Sequence, residues 1–194
     1  MPEAAINSTR LIKGKKDIFA GHDTNMRFFL TGFMGCGKSF WAQKMAAHLQ
    51  LPFIELDQFI ENRTLCSIAE LFAAEGEEAF RHIEAECLRS IIDTEPRCMV
   101  ATGGGTPCYY DNMQRMNAQG VTIYLKAGTD YLVNNLRNDT AHRPLLTTYS
   151  AEQMSYFIQQ KVGEREQYYL QAQHIVEAES LNASIFERIL LPYV

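Results

Sequence analysis

Short hydrophobic runs alternate along the chain with longer segments in which hydrophobic residues recur every three or four positions. Such runs are typical of buried parallel strands, and the longer segments are typical of the helices that connect them. The pattern predicts strands at 28–31, 53–56, 99–102, 121–125 and 174–176. We therefore expect a three-layer α/β/α domain with a five-stranded parallel sheet.

Helix signals fall between these predicted strands. Trp41, Met45 and Leu49 recur every four residues and predict a helix with one face against the sheet. The segments 67–70 and 150–153 each place a serine three residues before a glutamate or glutamine. This spacing predicts a capping box, and hence the start of a helix, at each serine.

The stretch GFMGCGKS lies between the first predicted strand and the first predicted helix. It matches the complete G-x-x-x-x-G-K-[ST] pattern, whose glycines let successive backbone N–H groups point at one anion. We expect a lysine there to reach the β- and γ-phosphates of ATP and a serine hydroxyl to bind Mg²⁺. A thiolate at Cys36 would be stabilised in this loop, but a small side chain that fits the turn is the simpler interpretation. The expected nucleotide contacts are Gly32, Gly35, Cys36, Gly37, Lys38 and Ser39.

Composition narrows the class of protein. The 194 residues, 22.1 kDa in mass, are enough for one well-buried domain. The net charge of −5 gives no general attraction to nucleic acid or to an anionic membrane, and no hydrophobic run is long enough to span a bilayer. Five cysteines without a C-x-x-C pair argue against a metal site or a disulfide framework and favour the reducing cytoplasm.

Two segments fall outside the predicted core elements. Residues 1–25 mix lysines with acidic residues and lack the hydrophobic core of a secretory signal, so we expect an extension before a domain at 26–194. Two interpretations of the extension stay open: translation begins at Met26, or the segment is a flexible tail. Residues 138–150 lack a clear period, and a loop of this length suggests a mobile lid.

Four further stretches carry polar groups or glycines where a phosphate acceptor would bind. They are Glu55 and Asp57 in IELDQ, Arg81 and Glu84 in FRHIE, the triple glycine 103–105, and the late arginines Arg143 in RPLL and Arg165 in EREQYY. The first lies at the end of a predicted strand and the third follows one, at the sheet edge where ligands of open α/β sheets bind. Together with the phosphate loop, these motifs resemble those of the shikimate kinases over residue 26 to about 194.

The resemblance implies roles for the acceptor side. Asp57 would meet the substrate hydroxyls and act as the candidate base. Arg81 and Arg165 would grip the shikimate carboxylate, a task that suits the planar fork of guanidinium. Glu84 would orient Arg81. The backbone N–H groups of Gly104 and Gly105 would also contact shikimate.

The resemblance also implies roles on the nucleotide side. Arg143 in the lid would close on the phosphates and stabilise charge during transfer, together with Lys38. Arg137 would lie against the adenine. Glu55 stands where the family has an aspartate that acts on Mg²⁺ mostly through water. We therefore expect the same role for Glu55, although its side chain is longer.

The expected reaction is transfer of the γ-phosphate of ATP to the 3-hydroxyl of shikimate, a step of the aromatic amino-acid pathway that leads to chorismate. We expect a monomer with a small-molecule substrate. Two alternatives stay open. Arg81 and Arg165 suit a phosphate as well as a carboxylate, so a related kinase acting on gluconate or a nucleoside monophosphate is one. An ATP-binding regulatory module without transfer is the other, which the glutamate at position 55 keeps open because the family has an aspartate there.

Overall fold

A computed structural model of the chain describes residues 26–138 and 149–193. Within these ranges five parallel strands form a single sheet, which confirms the predicted α/β fold. The predicted extension at 1–25 and all but the ends of the predicted lid at 138–150 lie outside the described residues. The strands are β1 (Met26–Thr31), β2 (Phe53–Glu55), β3 (Arg97–Ala101), β4 (Val121–Lys126) and β5 (His174–Glu177).

The order of the strands across the sheet is β2-β3-β1-β4-β5. The central strand β1 therefore has β3 on one side and β4 on the other, and the winding of the chain changes direction there. In register, Leu30 pairs with Ala101, and Ala101 pairs with Glu55. The carboxyl ends of β1, β2 and β3 thus lie side by side at one edge, where such sheets bind ligands.

Helices connect the strands and cover the sheet. Both predicted capping boxes are confirmed, at Ser67 with Glu70 and at Ser150 with Gln153. The long third helix is interrupted at Gly76, where φ is 81°. The helices are α1 (Lys38–Leu49), α2 (Leu56–Thr64), α3 (Ile68–Thr94), α4 (Asn112–Gln119), α5 (Thr129–Asn138), α6 (Ala151–Tyr169) and α7 (Ala183–Leu190).

Successive residues of β1 point to opposite faces of the sheet and join two separate hydrophobic cores. Phe28 and Leu30 pack in the cluster that contains Trp41, whereas Phe29 packs in the cluster that contains Phe80. Because both faces of a parallel sheet are covered, its strands read as continuous hydrophobic runs rather than alternating ones. The two clusters are the interfaces between the three predicted layers.

At the amino ends of the strands, opposite the carboxyl ends, a buried arginine connects β1 to two helices. Arg27, 6% exposed, donates hydrogen bonds to the carbonyl oxygens of Glu95 (2.7 Å), Ile92 (2.7 Å) and Gln119 (3.2 Å). These contacts fasten the ends of α3 and α4 to β1. Within the described ranges, no helix is long and apolar enough to cross a membrane.

Candidate active site

The phosphate loop, residues 32–39, joins β1 to α1 in the predicted strand–loop–helix arrangement. Gly32, Gly35 and Gly37 have φ values of 134°, 81° and 95°, a region that side chains other than glycine rarely adopt. A methyl group on Gly32 would also lie 2.7 Å from the carbonyl oxygen of Leu125. The fold therefore requires these glycines, and the loop ends at the amino end of α1, which favours an anion.

Lys38 lies at the centre of this loop. Its Nζ donates to the carbonyl oxygens of Gly32 (2.9 Å) and Phe33 (3.0 Å), and the side chain is buried. Ser39, the next residue, is exposed in the first turn of α1. Burial raises the pKa of Cys36, although the charge of Lys38 acts in the other direction. A neutral thiol follows, which favours the interpretation of Cys36 as a small buried residue.

Glu55 and Asp57 follow each other at the carboxyl end of β2. Glu55 is the last residue of the strand and is partly buried. The strand was predicted to continue through residue 56, but the buried Leu56 begins α2 instead. Asp57 therefore lies exposed in the first turn of a helix, where the helix dipole stabilises a carboxylate.

The glycine loop, residues 103–105, follows β3 and brings distant side chains together. A methyl group on Gly103 would lie 3.1 Å from Oδ1 of Asp57 and 2.8 Å from Oε1 of Glu84. Both carboxylates thus lie close to one point that a larger side chain would fill. The structure joins the predicted motifs of α2 and α3 at this position.

Arg81 and Glu84 form a buried ion pair rather than a surface one. Their side chains are 10% and 1% exposed, and Nη1 of Arg81 donates to Oε2 of Glu84 at 2.9 Å. The hydroxyl of Thr106 donates to the other carboxylate oxygen, Oε1, at 2.6 Å. The Glu84 carboxylate therefore has a charged partner on one oxygen and a hydroxyl on the other.

Burial and charge act in opposite directions on this pair. Burial raises the pKa of Glu84, and the Arg81 charge and the Thr106 hydroxyl offset only part of that effect. Burial is the largest single effect and disfavours the charge of Arg81, but Glu84, Tyr109 and Glu77 together outweigh it, so the pKa of Arg81 lies above its ordinary value. Arg81 is therefore a fixed cation in a desolvated position, which strengthens its attraction for an anion.

The backbone of the glycine loop lies against both predicted substrate arginines. A methyl group on Gly105 would lie 2.6 Å from Nη1 and Nη2 of Arg81. A methyl group on Gly104 would lie 3.7 Å from Nη1 of Arg165. The carbonyl oxygen of Gly104 accepts a hydrogen bond from the hydroxyl of Tyr169 at 2.5 Å, which holds the loop against α6. Two guanidinium groups thus border one short segment of backbone.

The loop also adjoins the phosphate loop. The same methyl group on Gly104 would lie 3.6 Å from the carbonyl oxygen of Gly32 and 3.5 Å from the backbone nitrogen of Met34. Arg165 also contacts the phosphate loop, with its Cζ 5.7 Å from the centre of the Phe33 ring. A ligand held by the two arginines would therefore lie next to a phosphate bound in that loop.

The other predicted nucleotide residues are placed less closely. Arg137 is exposed near the end of α5. The same helix reaches the phosphate loop through Asn135, whose Nδ2 donates to the carbonyl oxygen of Gly35 at 2.8 Å. Arg137 therefore lies two residues along the chain from the residue that contacts the phosphate loop. Arg143 lies outside the described residues.

Three residues that contact the Arg81–Glu84 pair or its partners were not predicted from the sequence: Glu77, Thr106 and Tyr109. Glu77 is four residues before Arg81 on α3, a spacing that could have indicated a contact. Thr106 and Tyr109 follow the glycine loop, in TPCYY, and carry no pattern that marks them. Their contacts with α3 arise only when the loop packs against that helix.

The oxygen groups near the phosphate loop suit Mg²⁺. Ser39 offers a hydroxyl and Glu55 a carboxylate, both of which are hard oxygen ligands. In the described part of the chain, no group of three or more histidine, cysteine or acidic side chains could hold a metal ion. A cation held mainly by phosphates and water, with one or two protein oxygens, fits this arrangement.

Comparisons with known proteins agree with the fold and with the resemblance to the shikimate kinases. The family model for shikimate kinase matches residues 34–192. A shikimate kinase of Azobacteroides pseudotrichonymphae is 40% identical over 168 residues, which cover 87% of this chain and 99% of that protein.

Solved structures are also similar. The crystal structure of shikimate kinase from Bacteroides thetaiotaomicron matches with a TM-score of 0.80 and 37% identity, and the match covers 86% of this chain and 97% of that one. The shikimate kinase of Acinetobacter baumannii, solved in complex with shikimate, matches with a TM-score of 0.74 and 27% identity. That match covers 88% of this chain and 96% of the other.

Proposed function

The chain belongs to the shikimate kinase family, whose members phosphorylate shikimate with ATP, and we propose how its residues carry out this reaction. In the proposal, the γ-phosphate of ATP is transferred to the 3-hydroxyl of shikimate. The observation that carries the proposal is the position of the glycine loop. It lies against Arg81 and Arg165 on one side of the site and close to the phosphate loop on the other. An acid with hydroxyl groups bound there would present a hydroxyl to the nucleotide.

We assign the substrate carboxylate to the two arginines. Arg81 is buried and held by Glu84, so its guanidinium loses little freedom when a ligand binds. Arg165 provides the second grip, and the backbone N–H groups of Gly104 and Gly105 add hydrogen-bond donors. Glu84 contacts Arg81 rather than the substrate and is a positioning residue.

Asp57 is the candidate general base. It lies exposed at the edge where the substrate would bind, close to the glycine loop. A carboxylate there would orient the reacting hydroxyl and accept its proton as the bond to phosphorus forms. Lys38 and Arg143 would stabilise the charge that develops on the transferring group.

The phosphate loop holds the nucleotide. Lys38 already lies at its centre and would exchange its carbonyl partners for phosphate oxygens. Ser39, with Glu55 acting through water, would hold Mg²⁺, which would supply positive charge to the phosphates. Arg137 is assigned to the adenine face. Closure of the segment 138–150 would exclude water and so suppress hydrolysis of ATP.

The cellular setting is also part of the proposal. All five cysteines are free, and burial raises the pKa of Cys98 to about 12 and of Cys108 to about 11. Thiols of this kind are stable in a reducing compartment, which supports a cytoplasmic enzyme. We propose that it acts as a monomer with shikimate, ATP and Mg²⁺.

The test is ADP release from purified protein with Mg-ATP, measured with shikimate, gluconate, nucleoside monophosphates and no acceptor. Release that requires shikimate supports the proposal, and release with another acceptor alone would overturn it. ATP binding without ADP release would favour the regulatory module. A matched Glu55→Asp variant then distinguishes the cause: recovered release would identify Glu55 as the defect.

A further inference from the structure

Tyr109 lies closer to the Arg81 guanidinium than any other aromatic ring among the described residues. The centre of its ring is 4.4 Å from Cζ of Arg81, compared with 5.1 Å for Phe80 and 5.8 Å for Phe72. A cation at this distance from a ring face is attracted by it. Tyr109 therefore contacts the proposed substrate arginine directly.

The hydroxyl of Tyr109 reaches the same arginine by a second route. It donates to Oε1 of Glu77 at 2.8 Å, and that oxygen also accepts from Nη2 and Nε of Arg81 at 3.2 and 3.4 Å. One carboxylate oxygen thus joins the tyrosine to the outer edge of the guanidinium. The inner edge is held by Glu84 through Nη1.

Glu77 needs such a partner to act as a fixed contact. Its side chain is 55% exposed, whereas that of Arg81 is only 10% exposed, and an exposed carboxylate that can move contributes little to an ion pair by itself. The Tyr109 hydroxyl provides a third contact from a different segment of the chain. It is also the largest cause that lowers the pKa of Glu77, so Glu77 stays ionised beside Arg81.

These contacts determine which donors of Arg81 remain for a ligand. A guanidinium has five N–H donors. Among the described residues, Glu77 accepts from Nε and Nη2, and Glu84 accepts from Nη1. These two glutamates leave one N–H on each terminal nitrogen unused, and guanidinium binds a carboxylate with two parallel hydrogen bonds.

We propose that Tyr109 is a positioning residue of this enzyme: through its ring and through Glu77 it holds the Arg81 guanidinium in the orientation that grips the substrate carboxylate. The role depends on the proposed binding of shikimate by Arg81. Tyr109 does not need to touch the substrate itself. Its loss would therefore weaken shikimate binding more than the transfer step.

The experiment compares Tyr109→Phe, which keeps the ring and removes the hydroxyl, with wild type. We expect the KM for shikimate to rise about threefold to tenfold, the factor that one hydrogen bond is worth, with kcat and the KM for ATP nearly unchanged. Tyr110→Phe is the matched control, because the neighbouring Tyr110 is 54% exposed and its ring packs against His82 rather than Arg81. This control should keep the wild-type KM.

A double-mutant cycle separates positioning from a general structural effect. If Tyr109 acts through Glu77, the KM of the double variant Tyr109→Phe, Glu77→Gln equals that of Glu77→Gln alone. Independent, multiplying effects would overturn the proposal, and so would an unchanged KM in Tyr109→Phe. Wild-type protein that releases no ADP with shikimate would instead overturn the proposed function. The cycle also decides if Tyr109→Phe melts at a lower temperature than wild type. A general structural effect of Tyr109→Phe would be independent of Glu77→Gln, and the two factors on KM would then multiply.

Discussion

The buried carboxylate of Glu84 depends on Thr106, and the substitution Thr106→Val tests this directly. Valine keeps the shape of threonine but removes the hydroxyl that donates to Oε1 of Glu84 at 2.6 Å. Both side chains are almost completely buried, at 0% and 1% exposure, so water does not easily replace the lost donor. A hydrogen bond to a buried charged group is worth about 1.5–3 kcal/mol.

We therefore expect the free energy of unfolding of Thr106→Val to fall by about 2 kcal/mol. For a domain of this size, 1 kcal/mol corresponds to about 2–4 °C, so Tm should fall by about 4–8 °C. Thr122→Val is the matched control, because Thr122 is also fully buried but lies near the start of β4, away from the site. Its hydroxyl donates a hydrogen bond to Asn117 on α4. Both variants should lose stability, but only Thr106→Val should change shikimate binding.

The pH dependence gives this prediction a sign. The pKa of Glu84 in the folded protein lies above its ordinary 4.5, and loss of the Thr106 hydroxyl raises it further. Glu84 is charged above that folded pKa and holds Arg81 there. As pH falls through it, Glu84 takes up a proton, its hold on Arg81 weakens and the KM for shikimate rises. In Thr106→Val this rise should begin at a higher pH than in wild type.

As pH falls, the free energy of unfolding should change in the direction opposite to the affinity for shikimate. Because the folded protein binds this proton more tightly than the unfolded chain does, the contribution of Glu84 to the free energy of unfolding increases as pH falls between the two pKa values. The stability deficit of Thr106→Val should therefore shrink as pH falls through this window. Initial rates and thermal melts between about pH 5 and pH 8 measure both effects. The reasoning would be refuted if the KM for shikimate began to rise at the same pH in wild type and Thr106→Val and the two proteins had equal Tm.

Three further substitutions test the acceptor side and the fold. Asp57→Asn should fold normally and lose turnover by about 100-fold or more, the usual contribution of a general base, and a fully active variant would refute its role. Gly105→Ala places a methyl group 2.6 Å from the Arg81 guanidinium, so the KM for shikimate should rise about tenfold or more while ATP binding, measured by titration, stays unchanged. Arg27→Met removes three hydrogen bonds at the far edge of the sheet and should lower the free energy of unfolding by about 3 kcal/mol in a denaturant titration, with an unchanged KM. A raised KM there would contradict the separation of fold and site.

The local structure of this protein could be predicted from its sequence, together with the phosphate loop. Hydrophobic runs placed all five strands to within two residues at either end, because a strand covered on both faces must be hydrophobic along its length. Serine followed three residues later by glutamate or glutamine placed the starts of α3 and α6, because that spacing satisfies the first N–H groups of a helix. Glycines of the phosphate loop were predictable for the same reason: their backbone angles are a local requirement.

Contacts between residues that are far apart in the chain could not be predicted and came from the packing of the elements. From the sequence, Arg81 and Glu84 were equally compatible with an exposed helical pair, and burial against the glycine loop made them a fixed, desolvated site. The hydrogen bonds of Thr106 to Glu84 and of Tyr109 to Glu77 join segments 22 and 32 residues apart. Periodicity and spacing report contacts within one helix or strand, whereas these contacts depend on the order of the strands and the packing of α3 beside β3. That order places the glycine loop next to the phosphate loop, and with it the acceptor side next to the nucleotide.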